Sequence, residues 1–255
     1  MNTNPIHPYG WRPQLPDHRD LRLAVAPLTT TLPSSADLSP QFPPCYDQGD
    51  LGSCTSNSLA AIVQFNQRQQ RLPDFMPSRL FIYYNERVIE GTVNSDAGAE
   101  LRDGIKALAS LGVCREELWP YNPAKFAQRP PAAAYDRALI HKAIKYQAVP
   151  QNLHTLKSVI AGGQPIVFGF TAYESFESDG IARSGILQIP TAGEAVVGGH
   201  AVVAVGYSTA SQTFKVRNSW STSWGDNGYF HMPWQYILSP DLASDSWQVD
   251  LVGAG

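Results

Sequence analysis

The sequence predicts an α+β chain of two lobes, on three observations. Apolar residues recur at helical spacing through the first half, and short apolar runs bounded by Gly, Ser, Thr and Asn fill the second. Pro and Ala crowd the stretch between them, near residues 121–150. A cleft between such lobes is the expected place for a site. The 255 residues suffice for one large domain or two small ones, burying about 70–75 % of the unfolded surface. Apolar residues make up 43 % and charged ones 16 %, the latter well below the usual fraction of about 25 %, which excludes disorder as the main state.

The elements follow in order. Nine of the 20 prolines fall in residues 1–44; each fixes φ and removes a backbone donor, so this stretch is expected to be an extended arm. Its middle, residues 13–20 (PQLPDHRD), reads equally as a solvated linker or as a segment that docks on the body. Ser53 is a good N-cap residue, and Leu59, Ile62, Val63 and Asn66 follow at helical spacing until Arg71, Leu72 and Pro73 stop the run. Further helices are expected from Ser78 to Gly91 and over residues 98–111, closed by Gly112. Strands are expected over residues 165–170, 201–205, 214–217 and 229–232.

Charge and motif content exclude several classes. Nineteen basic against 22 acidic side chains give a net charge of −3, so no basic footprint for nucleic acid is present. No apolar stretch nears the ~20 residues needed to cross a bilayer, and the N-terminus lacks the apolar core of a secretory signal, so a soluble chain without a membrane partner is expected. No C-x-x-C pair, H-x₃₋₅-H spacing or phosphate-binding glycine loop occurs, and His7, His18, His141, His154 and His231 are scattered; no metal and no cofactor are expected. Glu116 and Glu117 read as a solvated face. Cys45, Cys54 and Cys114 allow at most one disulfide and leave at least one thiol over.

Cys54 opens the first helix, where the dipole's positive end favours a thiolate. A nucleophilic cysteine needs a base, and the base needs a group to hold its ring. His200, between two glycines and an apolar strand, and Asn218, at the end of the next strand, are the candidates. Residues 48–54 (QGDLGSC), 199–207 (GHAVVAVGY) and 218–229 (NSWSTSWGDNGY) resemble, in the same order, the three active-site blocks of papain-like cysteine peptidases. The separations are 200 − 54 = 146 and 218 − 54 = 164. The likeness extends from Leu32 (LPSSADL at 32–38) through most of the chain, and the QGDLGSCTSN wording and PDHRD arm are similar to the bacterial subgroup that includes xylellain.

The resemblance implies a papain-like fold with a helical lobe at about 32–145, a β-barrel-like lobe at about 146–255, and a pro-region-like arm at 1–31. It implies an endopeptidase in which Cys54 attacks the scissile carbonyl, His200 shuttles the proton, and Asn218 orients the imidazole. Gln48 shares the oxyanion with the Cys54 N–H, and Trp220 shields the His200–Asn218 bond. Gly98, Gly199 and Trp220 would line the cleft for a peptide or protein substrate. Leu51 and Thr55 depart from the family pattern, the first by removing a disulfide cysteine and the second by replacing a Trp. Cys45 and Cys114 could pair or remain free. The arm is too short and proline-rich to inhibit by helix docking; the expectation is instead that the arm through Pro13–Asp20 lies along or near the cleft and keeps the enzyme latent. An amidase or transglutaminase-like acyl transferase, and a non-catalytic binding protein, are the alternatives. In the favoured reading, a sulfur on one lobe meets an imidazole on the other.

Overall fold

The computed structural model describes residues 7–24, 31–140 and 142–251; His141 lies outside them. Apart from a turn at residues 17–20, closed by Asp20 N–H on Asp17 O, the described arm is extended, and it docks. Leu23 N–H donates to Ala148 O, Ala148 N–H donates to Leu21 O, and Arg102 grips the Asp20 carboxylate through two nitrogens at 2.6 and 3.1 Å. Of the two readings of residues 13–20, the solvated linker gives way to a segment tied to the body.

A short strand, β1 (Ser35–Asp37), leads to α1 (Cys54–Gln69), which is buried along nearly its whole length. A fully buried helix this rich in Ser, Thr, Asn and Gln needs internal partners for its polar groups. Ser58 Oγ donates to Ala201 O and Asn66 Nδ2 to Val249 O, both at 2.9 Å, tying the helix to two strands of the sheet. Ser53 precedes the helix, but its hydroxyl does not cap it; it meets the Tyr121 hydroxyl at 2.5 Å. In α2 (Arg79–Glu90) the Ser78 hydroxyl does cap, accepting from Phe81 N–H, and Gly91 in the left-handed region ends it.

The next helix, α3 (Leu101–Leu111), starts three residues later than its spacing suggests. Gly98 is left-handed (φ 66°), and Ala99 spends its backbone groups on the arm rather than on a helix. Within α3, a Cβ on Gly104 would lie 2.5 Å from Leu59 Cδ1 and 2.6 Å from Glu86 Oε2, both on fully buried side chains with no room to retreat. Gly104→Ala is therefore expected to destabilise by about 1–3 kcal/mol despite the better helix propensity of Ala, a fall of several degrees in a thermal melt. An unchanged Tm would refute it.

Then come α4 (Ala132–Ala138), β2 (Ala143–Ala148), α5 (Leu153–Ala161), β3 (Ile166–Tyr173) and α6 (Asp179–Ser184). The chain ends with β4 (Val196–Ser208), β5 (Thr213–Arg217), β6 (Tyr229–Pro233), α7 (Trp234–Leu238) and β7 (Ala243–Leu251). The seven strands form one antiparallel sheet in the order β2-β7-β3-β4-β5-β6, with β1 also on β4. The result is the papain-like two-lobe α+β fold, its sheet not closed into a barrel.

Two readings need correction. Glu116 is not a solvated residue: its carboxylate takes Arg79 Nη2 at 2.8 Å and the N–H groups of Arg79 and Tyr121, joining α2 to the following loop. The strand carrying His200 begins five residues earlier than expected, at Val196, so His200 stands inside β4, opposite Phe170 of β3, and not at a strand start. All three cysteines are free thiols, and all are buried. Among the described residues no group of His, Cys, Asp or Glu is arranged to hold a metal ion, and no helix is long and apolar enough to cross a membrane.

Candidate active site

Helix α1 presents Cys54 from its first residue, and β4 presents His200 across the cleft. The sulfur accepts the Ala201 N–H at 3.4 Å, so it lies against the residue that follows His200. His200 Nε2 meets Asn218 Oδ1 at 2.7 Å, and the same oxygen accepts Ser219 N–H at 2.8 Å, which fixes which way the amide points. The ring proton therefore sits on Nε2. Nδ1 is left as the bare lone pair, buried and without a hydrogen-bond partner, so sulfur and imidazole do not bond to each other. Trp220 lies over the ring with centroids 5.0 Å apart, excluding water from the His200–Asn218 bond.

Gln48 is fully buried, and its carbonyl oxygen accepts from Ser219 Oγ at 2.6 Å. That contact turns the amide nitrogen toward the cleft, where it donates to Leu51 O and to Pro8 O, each at 3.0 Å. Pro8 belongs to the arm. The arm then pairs with both walls: Trp11 N–H to Gly199 O (2.9 Å), Ala99 N–H to Gly10 O (2.7 Å) and Arg12 N–H to Ala99 O (3.1 Å). Gly199 thus pairs with the extended arm. On the opposite wall the pairing groups belong to Ala99, while Gly98 supplies clearance: a Cβ there would lie 2.0 Å from Gly10 O.

The arm also covers the dyad. His7 stacks on Trp220 at 4.1 Å, Tyr9 sets its ring edge-on to His200 at 5.7 Å, and the Tyr9 hydroxyl donates to Glu177. This coverage controls the electrostatics. Burial pushes the Cys54 thiol up to about 11, against the backbone N–H groups of Ala201, Gly10 and Thr55, which favour the thiolate. Burial also lowers His200 to about 4, only partly countered by Asn218. Beneath the arm the pair is a neutral thiol and a neutral imidazole.

Several contributors escaped sequence reasoning. Ala99 and Ser219 act through backbone or a small hydroxyl and carry no motif of their own. Glu86, fully buried on α2, accepts from Thr55 Oγ1 at 2.6 Å, and burial holds its carboxyl well above the usual range. Trp11 offered a signal, being a large apolar side chain within a proline-rich polar arm.

A cysteine at a helix start, an imidazole on the facing sheet with its ring held by an amide, and a buried glutamine amide at the same spot define a thiol-hydrolase type of centre. The papain family cysteine protease model matches residues 32–237, and the chain belongs to that family. It is similar to xylellain, a cysteine protease from Xylella fastidiosa: 41 % identity, a TM-score of 0.90, and coverage of 96 % of this chain and 97 % of that one. It is 44 % identical over 215 residues to an uncharacterized peptidase C1-like protein of Acanthamoeba polyphaga mimivirus, covering 81 % of this chain and 69 % of that protein. A cathepsin B-like protein of Giardia intestinalis is 28 % identical over 221 residues, covering 80 % and 70 %. The protein is a papain-like cysteine peptidase, a hydrolase.

Proposed function

We propose that the chain is an endopeptidase using Cys54, His200, Asn218 and Gln48, held latent by its own N-terminal arm. In this reading residues 1–31 act as a pro-region and residues 32–255 as the peptidase domain, with lobes meeting near residue 145. The Cys54 proton passes to His200 Nδ1 and the sulfur attacks the substrate carbonyl carbon. The oxyanion is held by Gln48 Nε2–H and the Cys54 N–H; one such donor contributes about 3–4 kcal/mol. The protonated imidazole then gives its proton to the leaving amine, and water, deprotonated by the same nitrogen, hydrolyses the thioester.

The observation that carries latency is the Pro8 carbonyl oxygen on Gln48 Nε2, the position a scissile carbonyl would take. The sulfur beneath meets the Gly10 N–H, a donor and not an electrophilic carbon, so the arm can sit on the nucleophile without being cut. Trp220 and Gly199, expected to face substrate, meanwhile contact His7 and Trp11.

A peptide library incubated with the chain and with a version lacking residues 1–31 tests the reading. Cleavage that rises on deletion is expected. Amine incorporation without cleavage would favour the acyl-transferase alternative, and unchanged or lost cleavage on deletion would refute latency.

A further inference from the structure

The loop that delivers Cys54 is held by a carboxylate from outside the three motif blocks, that of Asp96. Leu51 C=O and Gly52 N–H belong to one planar peptide unit and point in opposite directions. On one side Leu51 O accepts Gln48 Nε2–H at 3.0 Å and Ser53 N–H at 2.7 Å. On the other, Gly52 N–H donates to Asp96, 3.0 Å from Oδ2 and 3.2 Å from Oδ1. The Gln48 amide nitrogen carries two hydrogens. Leu51 O takes one of them, and Ser219 Oγ holds the carbonyl end at 2.6 Å, so the second is directed into the cleft, onto Pro8 O in the covered chain. Asp96 is itself held in place. The hydroxyl of the buried Tyr83 donates to Asp96 Oδ1 and accepts Gly98 N–H at 3.3 Å. Arg87, also buried, grips the carbonyl oxygens of Val93 and Ser95 at 3.0 and 2.9 Å, and its guanidinium carbon lies 3.9 Å from the centre of the Tyr83 ring. No disulfide shares the task, since all three cysteines are free.

We propose that Asp96 is a positioning residue for the hydrolysis: by orienting the Leu51–Gly52 peptide it points the free N–H of Gln48 at the substrate oxyanion. The inference rests on the reading of Gln48 as an oxyanion donor. Asp96 is an exposed residue, so without its carboxylate water can satisfy the Gly52 N–H but cannot fix its direction. A hydrogen bond to a charged acceptor of this kind corresponds to a factor of about ten or more.

The test uses the full chain carrying Trp11→Ala, which strips the arm's indole from Gly169 and Gly199 and leaves the Gly52 loop untouched. In this chain Gln48→Ala is expected to lower kcat about 100-fold. Asp96→Ala should lower kcat about tenfold with KM within about twofold, and Asp96→Asn, which keeps an acceptor for Gly52 N–H, should stay within about threefold of the parent. Asp96→Ala added to Gln48→Ala should cost less than about twofold further, because the group it points is gone. A tenfold loss in both backgrounds, an equal loss in Asp96→Asn, or a loss carried by KM overturns the proposal. Should Gln48→Ala leave kcat unchanged, or the chain show no Cys54-dependent cleavage, the underlying reading of the site fails, and a second measurement without turnover still decides the role of Asp96. In the intact chain the side-chain NH2 signals of Gln48 in NMR spectra, assigned by their loss in Gln48→Ala, should shift in Asp96→Ala and return in Asp96→Asn. Signals that stay in place in Asp96→Ala overturn the proposal.

Discussion

Gly10→Ala in the full-length chain is expected to raise peptidase activity by about 10- to 100-fold. A Cβ at Gly10 would stand 1.7 Å from the carbonyl oxygen of Gly52 and 2.4 Å from its carbon. Both are backbone atoms of the loop that delivers Cys54 to the start of α1, so neither can swing aside as a side chain would. Overpacking of this kind costs about 1–3 kcal/mol, and each 1.4 kcal/mol is a factor of ten in the closed-to-open ratio. The substitution acts through the arm, because Gly10 lies ahead of residues 32–237, which the family model matches, and meets the body at Ala99, Gly52 and the Cys54 sulfur. Initial rates on a fluorogenic peptide, normalised to titrated protein, read the effect. Adding Cys54→Ala to the same chain should return the rate to background. Activity that stays at the parental level in Gly10→Ala, with the arm protected from exchange as before, would remove the arm from any account of latency.

How much of this was legible beforehand depended on whether a feature lies in side-chain pattern or in backbone placement. The helix at Cys54 and the strands around Val167, Val203 and Val216 announce themselves through period and apolar density, because burial on one face or on both leaves a repeat in the sequence. The last strand, β7, reads ASDSWQVDL, too polar to stand out, and it is held by pairing with β2 and β3 on both sides. Helix α5 escapes because its nine residues fall between the Pro- and Ala-rich stretch ending at 150 and the strand expected from 165, where no element is assigned; its cap, Asn152 accepting from Thr155 N–H, is visible only once the turn is known. Of the candidate site, Cys54 is readable from its place at a helix start and His200 and Asn218 from their places beside the strands, while Gln48 is reached through the resemblance to the papain-like blocks. Ala99 is reached by neither route, since a backbone amide works equally well under any side chain except proline.

The second large effect is in the pH dependence of the nucleophile. In the covered chain the Cys54 thiol is raised to about 11 and His200 lowered to about 4, both chiefly by burial. At pH 7 a thiol with that constant is ionised to about one part in 10⁴. Nor can the imidazole help, for a ring protonated only below about 4 holds no positive charge to stabilise a thiolate at neutral pH. Alkylation of Cys54 by iodoacetamide in the intact chain is therefore expected to be slow at pH 7 and to climb about tenfold per pH unit toward 11. With the arm expelled by Gly10→Ala, water reaches the pair and the desolvation that opposes both charges is relieved. The helix start and the two N–H groups that stay at the sulfur, those of Ala201 and Thr55, then favour the thiolate, and Asn218 favours the imidazolium. The proton moves from sulfur to Nδ1 within the pair, so the rate should become nearly flat across neutral pH, bounded below by protonation of the thiolate and above by loss of the imidazolium proton. The sign is what discriminates: burial by the arm shifts the thiol up and the imidazole down, so release must move reactivity toward lower pH. Mass spectrometry resolves Cys54 from Cys45 and Cys114, which burial also raises and which lie away from the arm. If the alkylation profile of Cys54 is the same in both chains, the arm does not set the protonation of the pair, and latency would rest on steric occupation alone.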